Sequence, residues 1–274
     1  MDTSGSTQEV GPLGEELILS SGKREIILSP AMTNLAGTLG FSLEASHSLD
    51  LSRLGAFITN PISMSPRTPA RPPRVLNFPG GFLLHTGHPN PGFTQILRRH
   101  RQRWAELPSP VIIHLLGEAT DELREMTQRI EEIEAASAVE VGLGDSDPSH
   151  AAEMIGVAAQ SELPIIANFP ATRSEILAPV LSESGAVALS IGPPRGTIQS
   201  PEGPLVNGRL LGPGVFPLAL RAVISLRSIT DLPILASGGV YSQTHANTMI
   251  QAGADAVQFD GILWTEPEAV LAGS

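Results

Sequence analysis

The stretch LPILASGGVYSQTHANTMIQAGADAVQFDG, Leu232 to Gly261, decides how the chain is read. An apolar run, Pro233 to Ala236, ends in Ser237-Gly238-Gly239. A helical pattern follows, then Gly253-Ala254-Asp255 and a second apolar run, Ala256 to Phe259, that ends at Asp260-Gly261. Strand, glycine turn, helix, strand, glycine turn is a βαβ unit. In a (β/α)8 barrel the loops after the last two strands commonly bind phosphate, because glycines let backbone N–H groups approach it. The alternative is that these glycines only make tight turns.

Working outward, short apolar runs recur at Ser29–Phe41, Leu54–Thr59, Val111–Leu115, Ala138–Val141, Pro164–Asn168 and Ala186–Ser190. Most are separated by helical patterns: Thr94–Trp104, a helix capped by Thr120, His150–Gln160, Ser174–Ser184 and Phe216–Ile229. With the quoted unit this makes eight strands, an α/β class chain that closes into a TIM (β/α)8 barrel. Leu17–Leu19 and Ile26–Leu28 flank Ser21-Gly22 and read as an N-terminal β-hairpin that plugs the barrel floor. Residues 1–14 are small, polar and expected to be disordered, leaving 15–274 as a single domain. Pro61–Pro91 reads as a long irregular functional loop. Only thirteen residues follow Gly261, which leaves room for a turn or two of helix. The expectation is a shortened C-terminal end with an uncovered barrel stripe, met by a second copy or a partner subunit.

The chain has 274 residues, 41% of them hydrophobic, enough for one large core. Net charge is −11, which argues against nucleic acid. No apolar run is long enough for a membrane span, no secretory signal is visible, and a cytoplasmic location is the default. No cysteine is present, so there is no disulfide framework, Cys-type zinc site or Cys nucleophile. Of the 17 basic residues Lys23 is the single lysine. A mechanism that needs a lysine must use it or fail. His85, His88 and His114 match no metal-ligand spacing, so no metal is expected. Arg195 and Arg209 flank the loop after the sixth strand; they read as surface charges or as partners of a phosphate or carboxylate. Arg98, Arg99, Arg101 and Arg103 form a basic face, solvated or at an interface.

Several segments together resemble the class 1 dihydroorotate dehydrogenases. They are SPAMTNLAGTLGF (29–41), DLSRLGAFIT (50–59), PPRVLNFPGG (72–81), GHPNPGF (87–93), GPGVFPLALRAV (212–223) and LPILASGGV (232–240), in the family's order. The resemblance implies an FMN barrel in which a substrate carbon gives hydride to the flavin while a loop base removes a proton. It places Ala36 and Gly37 at the flavin turn and Asn90 at a substrate-binding asparagine. Gly212, Gly238 and Gly239 fall at the phosphate end, with Gly261 beside them.

The match then departs from the family. Asn60 and Asn168 stand where the family has lysines. Gly142 to Asp147 replaces its asparagine- and cysteine-bearing run, so Asp145 or Ser146 takes the base position. Gly192-Pro193 replaces an asparagine, and Asp260 enters a small neutral pair that binds phosphate. Three readings stay open: an FMN oxidoreductase acting on dihydroorotate, with Asn60 and Asn168 on the flavin and Ser146 as base; a flavin barrel for a less anionic substrate; and a non-catalytic relative kept for a structural or assembly role.

Overall fold

The computed structural model describes residues 16–42, 49–201 and 203–271. The expected disordered tail, 1–14, lies outside them. Eight parallel strands form one sheet: β3 (Met32–Asn34), β4 (Phe57–Ile58), β7 (Val111–Leu116), β8 (Ala136–Gly142), β9 (Ile165–Pro170), β10 (Ala188–Gly192), β13 (Ile234–Ser237) and β14 (Ala256–Phe259). Sequential pairing runs β4-β7-β8-β9-β10-β13-β14-β3, and a parallel bridge between Thr33 and Ala56 brings the two ends together. The expected barrel is therefore present.

Helices α1 (Phe93–Ala105), α2 (Thr120–Glu131), α3 (Pro148–Ala158), α4 (Ser174–Glu183), α5 (Phe216–Arg227) and α6 (Gln243–Gln251) ring it. Each turns an apolar face inward; in α2, Leu123, Met126, Thr127 and Ile130 lie at helical spacing and are buried. Thr120 is the first residue of that helix, and Ala119 stands at the cap without a side-chain bond, so the expected Thr120 cap is not made. Asp147 does cap α3, accepting from the N–H groups of Ser149 and His150. The four arginines of α1 face solvent.

β1 (Leu17–Ser20) and β2 (Glu25–Leu28) form the expected hairpin. Its Leu19, Ile26 and Leu28 pack on Ile58, Ile112, Ala138, Ile166, Ala188, Leu235 and Ala256, which point into the barrel floor. Lys23 sits on this hairpin against Glu162, at the opposite end from the mouth.

The loop expected to be irregular, Pro61–Pro91, contains strands, and so does the proline- and glycine-rich segment after the sixth barrel strand. Within Pro61–Pro91 lie β5 (Val75–Phe78) and β6 (Gly81–Leu84), and within Gly192–Gly214 lie β11 (Arg195–Gln199) and β12 (Leu205–Leu211). They join as an antiparallel sheet in the order β11-β12-β6-β5. Leu76, Leu83 and Val206 give that sheet a small core of its own. Proline and glycine hid these strands, yet glycine is what lets them approach: a Cβ on Gly81 would lie 2.1 Å from the Leu211 carbonyl oxygen.

The expected bare stripe does not occur among the described residues. After β14 the single-turn helices α7 (Ile262–Thr265) and α8 (Glu268–Leu271) fold back and bury Val270 and Leu271. Arg53 pins α8 by donating to both carboxylate oxygens of Glu268 at 2.9 Å. Exposed apolar side chains include Trp264 on α7 and, on α4 and α5, Ile176, Leu218 and Ile224. No described helix is long and apolar enough to cross a membrane.

If the hairpin seals the floor, Ile26→Ala leaves a cavity there and lowers unfolding stability by about 2–5 kcal/mol in denaturant titration. A change within about 0.5 kcal/mol removes the plug from the account.

Candidate active site

Side chains alternate along a strand, so each barrel strand offers the lumen one residue in two. The lowest lumen layer is apolar. Two residues further along each strand the lumen turns polar: Thr33, His114, Glu140, Asn168, Ser190, Ser237 and Gln258. The intervening residues, such as Ile113, Val139, Leu189 and Val257, face the helices and join the main core.

Buried polar groups cost free energy unless paired, and His114, Glu140, Asn168, Ser190 and Gln258 pair with one another, while Ser237 donates to the Ile191 carbonyl and Thr33 Oγ1 is left without a partner. His114 Nδ1 and Glu140 Oε2 are 2.5 Å apart. Glu140 Oε1 accepts from Gln258 at 3.4 Å, Gln258 Oε1 from the Ser190 hydroxyl at 3.2 Å, and that hydroxyl from Asn168 at 2.9 Å. The chain of contacts starts and ends at residues that line one cavity, His114 and Asn168. With Glu140 ionised, the Nδ1 proton lies toward it, and Nε2 carries the free lone pair. That nitrogen lies against Gly142, where a Cβ would be 2.6 Å away.

The cavity holds about 370 Å³ between the strand ends and the added sheet. Leu35, Ala36, Leu116 and Leu143 supply apolar walls; Asn168, His88, Arg67, Arg195 and Arg209 supply polar ones. Arg67 is paired with Glu118, and Arg195 lies 3.5 Å from Asp145. Arg209, on β12, has no carboxylate within salt-bridge distance among the described residues. One of its nitrogens donates to the Ala36 carbonyl at 3.1 Å, and the guanidinium lies over Gly37, where a Cβ would be 3.2 Å from it. Burial, then the charge of Arg195, lowers Arg209 to about 10, so it stays cationic at neutral pH. Burial, then Arg209 and His114, holds His88 down to about 3, so it is neutral. Arg209 is half-buried and borders the cavity, whereas Arg195, also at its border, is exposed.

The phosphate end is different. Gly238 and Gly239 have φ of +111° and +74°, conformations that favour glycine. Asp260, fully buried, turns its carboxylate into this turn, and the Gly239 N–H donates to Oδ2 at 3.2 Å. Oδ1 has no hydrogen-bond partner. Burial raises the carboxyl to about 6; the N–H groups of Gly239 and Gly261, the Tyr241 hydroxyl and Arg209 pull the other way. Burial first, and then the Asp260 charge, raises the Tyr241 phenol well above its ordinary range.

FMN needs both ends of this mouth. The ring end suits it: Ala36, Asn168 and Arg209 border the cavity. The phosphate end does not. A Cβ on Gly212 would meet Gly81 at 2.5 Å, on Gly239 the Phe216 nitrogen at 2.6 Å, and on Gly261 the Tyr241 hydroxyl at 2.7 Å. These glycines lie tight against the chain's own atoms, and the Asp260 carboxylate takes the Gly239 N–H that an anion would use.

Other residues singled out from sequence lie elsewhere. The Ser146 hydroxyl donates to the Leu143 carbonyl at 2.6 Å, and Asp145 faces Arg195; neither borders the cavity. Asn60 Oδ1 accepts from the Gly40 N–H, tying two loops together. Asn90 is 6% exposed and uses its amide on Ser63, His88 and Gly92. Ala36 and Asn168 border the cavity; Gly37 lies under Arg209, and Gly212, Gly238, Gly239 and Gly261 are outside it. His114 was singled out from sequence only as a possible metal ligand or acid; its partners in the polar layer, Glu140 and Gln258, were missed. No group of three or more His, Cys, Asp or Glu among the described residues is arranged to hold a metal.

A family model described as dihydroorotate dehydrogenase matches residues 26–165. The chain is 30% identical to the dihydroorotate dehydrogenase B (NAD(+)) catalytic subunit of Geotalea daltonii, over 88% of this chain and 85% of that one. It is 30% identical to the protein of the same name from Desulforudis audaxviator, over 89% and 86%. Identity to that of Pelobacter propionicus is 29%, over 88% and 86%.

Because Asp260 titrates near 6 when folded and near 3.8 in a free chain, the folded state is relieved of a penalty as pH falls. The group opposes folding fully only above pH 6, by about 3 kcal/mol. Asp260→Asn therefore stabilises the protein at pH 7.5 by up to that amount, and the gap narrows on the way to pH 4.5. A gap that stays constant or widens in urea titrations across that range contradicts the assignment.

Proposed function

Since the chain belongs to the dihydroorotate dehydrogenase family, we propose that it performs a dihydroorotate dehydrogenase-like function, with the mouth cavity as its substrate site. The observation that carries the reading is a single cavity lined by His114, backed by Glu140, and by the cation Arg209. Dihydroorotate and orotate are small pyrimidine rings that carry a carboxylate. Arg209 supplies the charge that the family's lysines would, with no acidic partner to compete. Asn168 spends its N–H on Ser190, leaving Oδ1 to accept from a ring N–H. The apolar walls take the ring faces. His114 Nε2 is the group that would accept the proton the dihydropyrimidine ring loses, and Glu140 would hold the imidazole and stabilise the imidazolium; the hydride lost with that proton passes to a two-electron acceptor of the flavin or quinone class, which these residues do not themselves supply.

This assignment moves the base from Ser146 and Asp145 to His114. It reduces Asn60 and Asn90 to loop supports. No proton or electron step is routed through FMN, because the phosphate end does not fit it. The relatives are named catalytic subunits, so a separate partner subunit, in the cytoplasm, belongs to the same proposal. The assembly-only alternative draws no support from them.

Calorimetry tests the site: orotate binds the purified protein, Arg209→Ala weakens binding about 10- to 100-fold, and Arg101→Ala on α1 leaves it unchanged. Absence of orotate binding sinks the proposal. Glu140→Gln leaves orotate affinity nearly intact while orotate formation, followed by its absorbance with an artificial electron acceptor, falls about 100-fold. Equal loss of affinity and turnover makes Glu140 merely structural.

A further inference from the structure

The glycine turns after the seventh and eighth strands are where a barrel of this kind holds a phosphate group. In this chain that place is already taken. Asp260 is fully buried, aims its carboxylate into the turn, and accepts from the Gly239 N–H at 3.2 Å. Its second oxygen, Oδ1, is buried and unpartnered. The positive φ values of Gly238 and Gly239 are met by glycine alone and do not themselves call for a carboxylate. Tyr241 and Phe82 close over Gly261, and Trp264 packs on Phe82 with ring centres 6.1 Å apart. The ring end of the same mouth stays open, with Ala36, Asn168 and Arg209 at its border.

We propose that Asp260 is a built-in anion that takes the place of a ligand's phosphate, so that this chain accepts ring ligands without a phosphate ester and rejects their phosphorylated forms. The inference rests on the reading of the mouth as a ligand site and names the chemical class admitted there. A dianionic ester would have to displace a buried like charge and lose the N–H donors that Asp260 already uses. Arg209 is then left to a ligand carboxylate or to an electron-rich ring.

A matched pair that differs only in the phosphate, riboflavin and FMN, tests this by flavin fluorescence titration of the full chain. Wild type binds FMN no more tightly than riboflavin. Asp260→Gly, which empties the turn, gains about tenfold or more in FMN affinity, and Asp260→Asn, which removes only the charge, gains less. Circular dichroism confirms that each variant is folded; if Asp260→Gly is not, the Asn variant carries the comparison. Tighter binding of FMN than riboflavin by wild type overturns the proposal. So does a folded pair of variants with no gain in FMN affinity. Orotate calorimetry on the same preparations separates the two ideas: lost orotate binding refutes the substrate site, whereas an unchanged FMN preference refutes the built-in anion.

Discussion

Closing parallel strands into a ring gives each strand one lumen residue in two, and everything at the mouth follows from what those residues are. The floor is apolar and sealed by a hairpin. The next layer is polar, and most of its members pair with one another, because a buried polar group left unpaired costs free energy. The pairing of His114 with Glu140 is the anchor of that layer: it buries a carboxylate without orphaning it and holds an imidazole at the border of the cavity. Replacing either partner leaves the other buried and unpaired, which is the expensive way to break such a contact.

Charge at the mouth is redistributed along the same lines. The chain has one lysine, and it lies at the far end of the barrel. The cation the pocket needs comes from β12, a strand of the added sheet, whose Arg209 reaches across to Ala36. The last turn holds an anion of its own, the Asp260 carboxylate. The two groups feel each other electrostatically, so the two ends of the mouth are coupled through the protein itself.

Much of the barrel was legible because its signals are local: apolar runs, glycine turns and helical faces repeat at the right lengths. The hairpins β5–β6 and β11–β12 were not, because Pro and Gly read as loop, and their pairing joins segments more than a hundred residues apart. At the site, Ala36 and Asn168 were found by position. Asn90, Asn60, Ser146 and Asp145 were placed by the same family resemblance, and position in a motif does not say which way a side chain turns: Asn90, Asn60 and Ser146 bond to neighbouring loops and Asp145 faces Arg195. The signal for the missed layer was present. His114 and Glu140 interrupt apolar strands two positions after a lumen-facing Ile112 and Ala138. A charged residue inside a fully buried strand has to be paired, and the partner sits at the same height on the next strand.

The account's central claim is that ligand and carboxylate share this mouth, one in the cavity and one in the glycine turn. A crystal structure of the protein with orotate tests it most directly. The account predicts the ring between Ala36 and Leu143, its carboxylate on Arg209, an edge on Asn168, and Asp260 still against the Gly239 N–H. A ring bound away from His114 and Arg209, or Asp260 swung out of the turn to admit a phosphate, would contradict it.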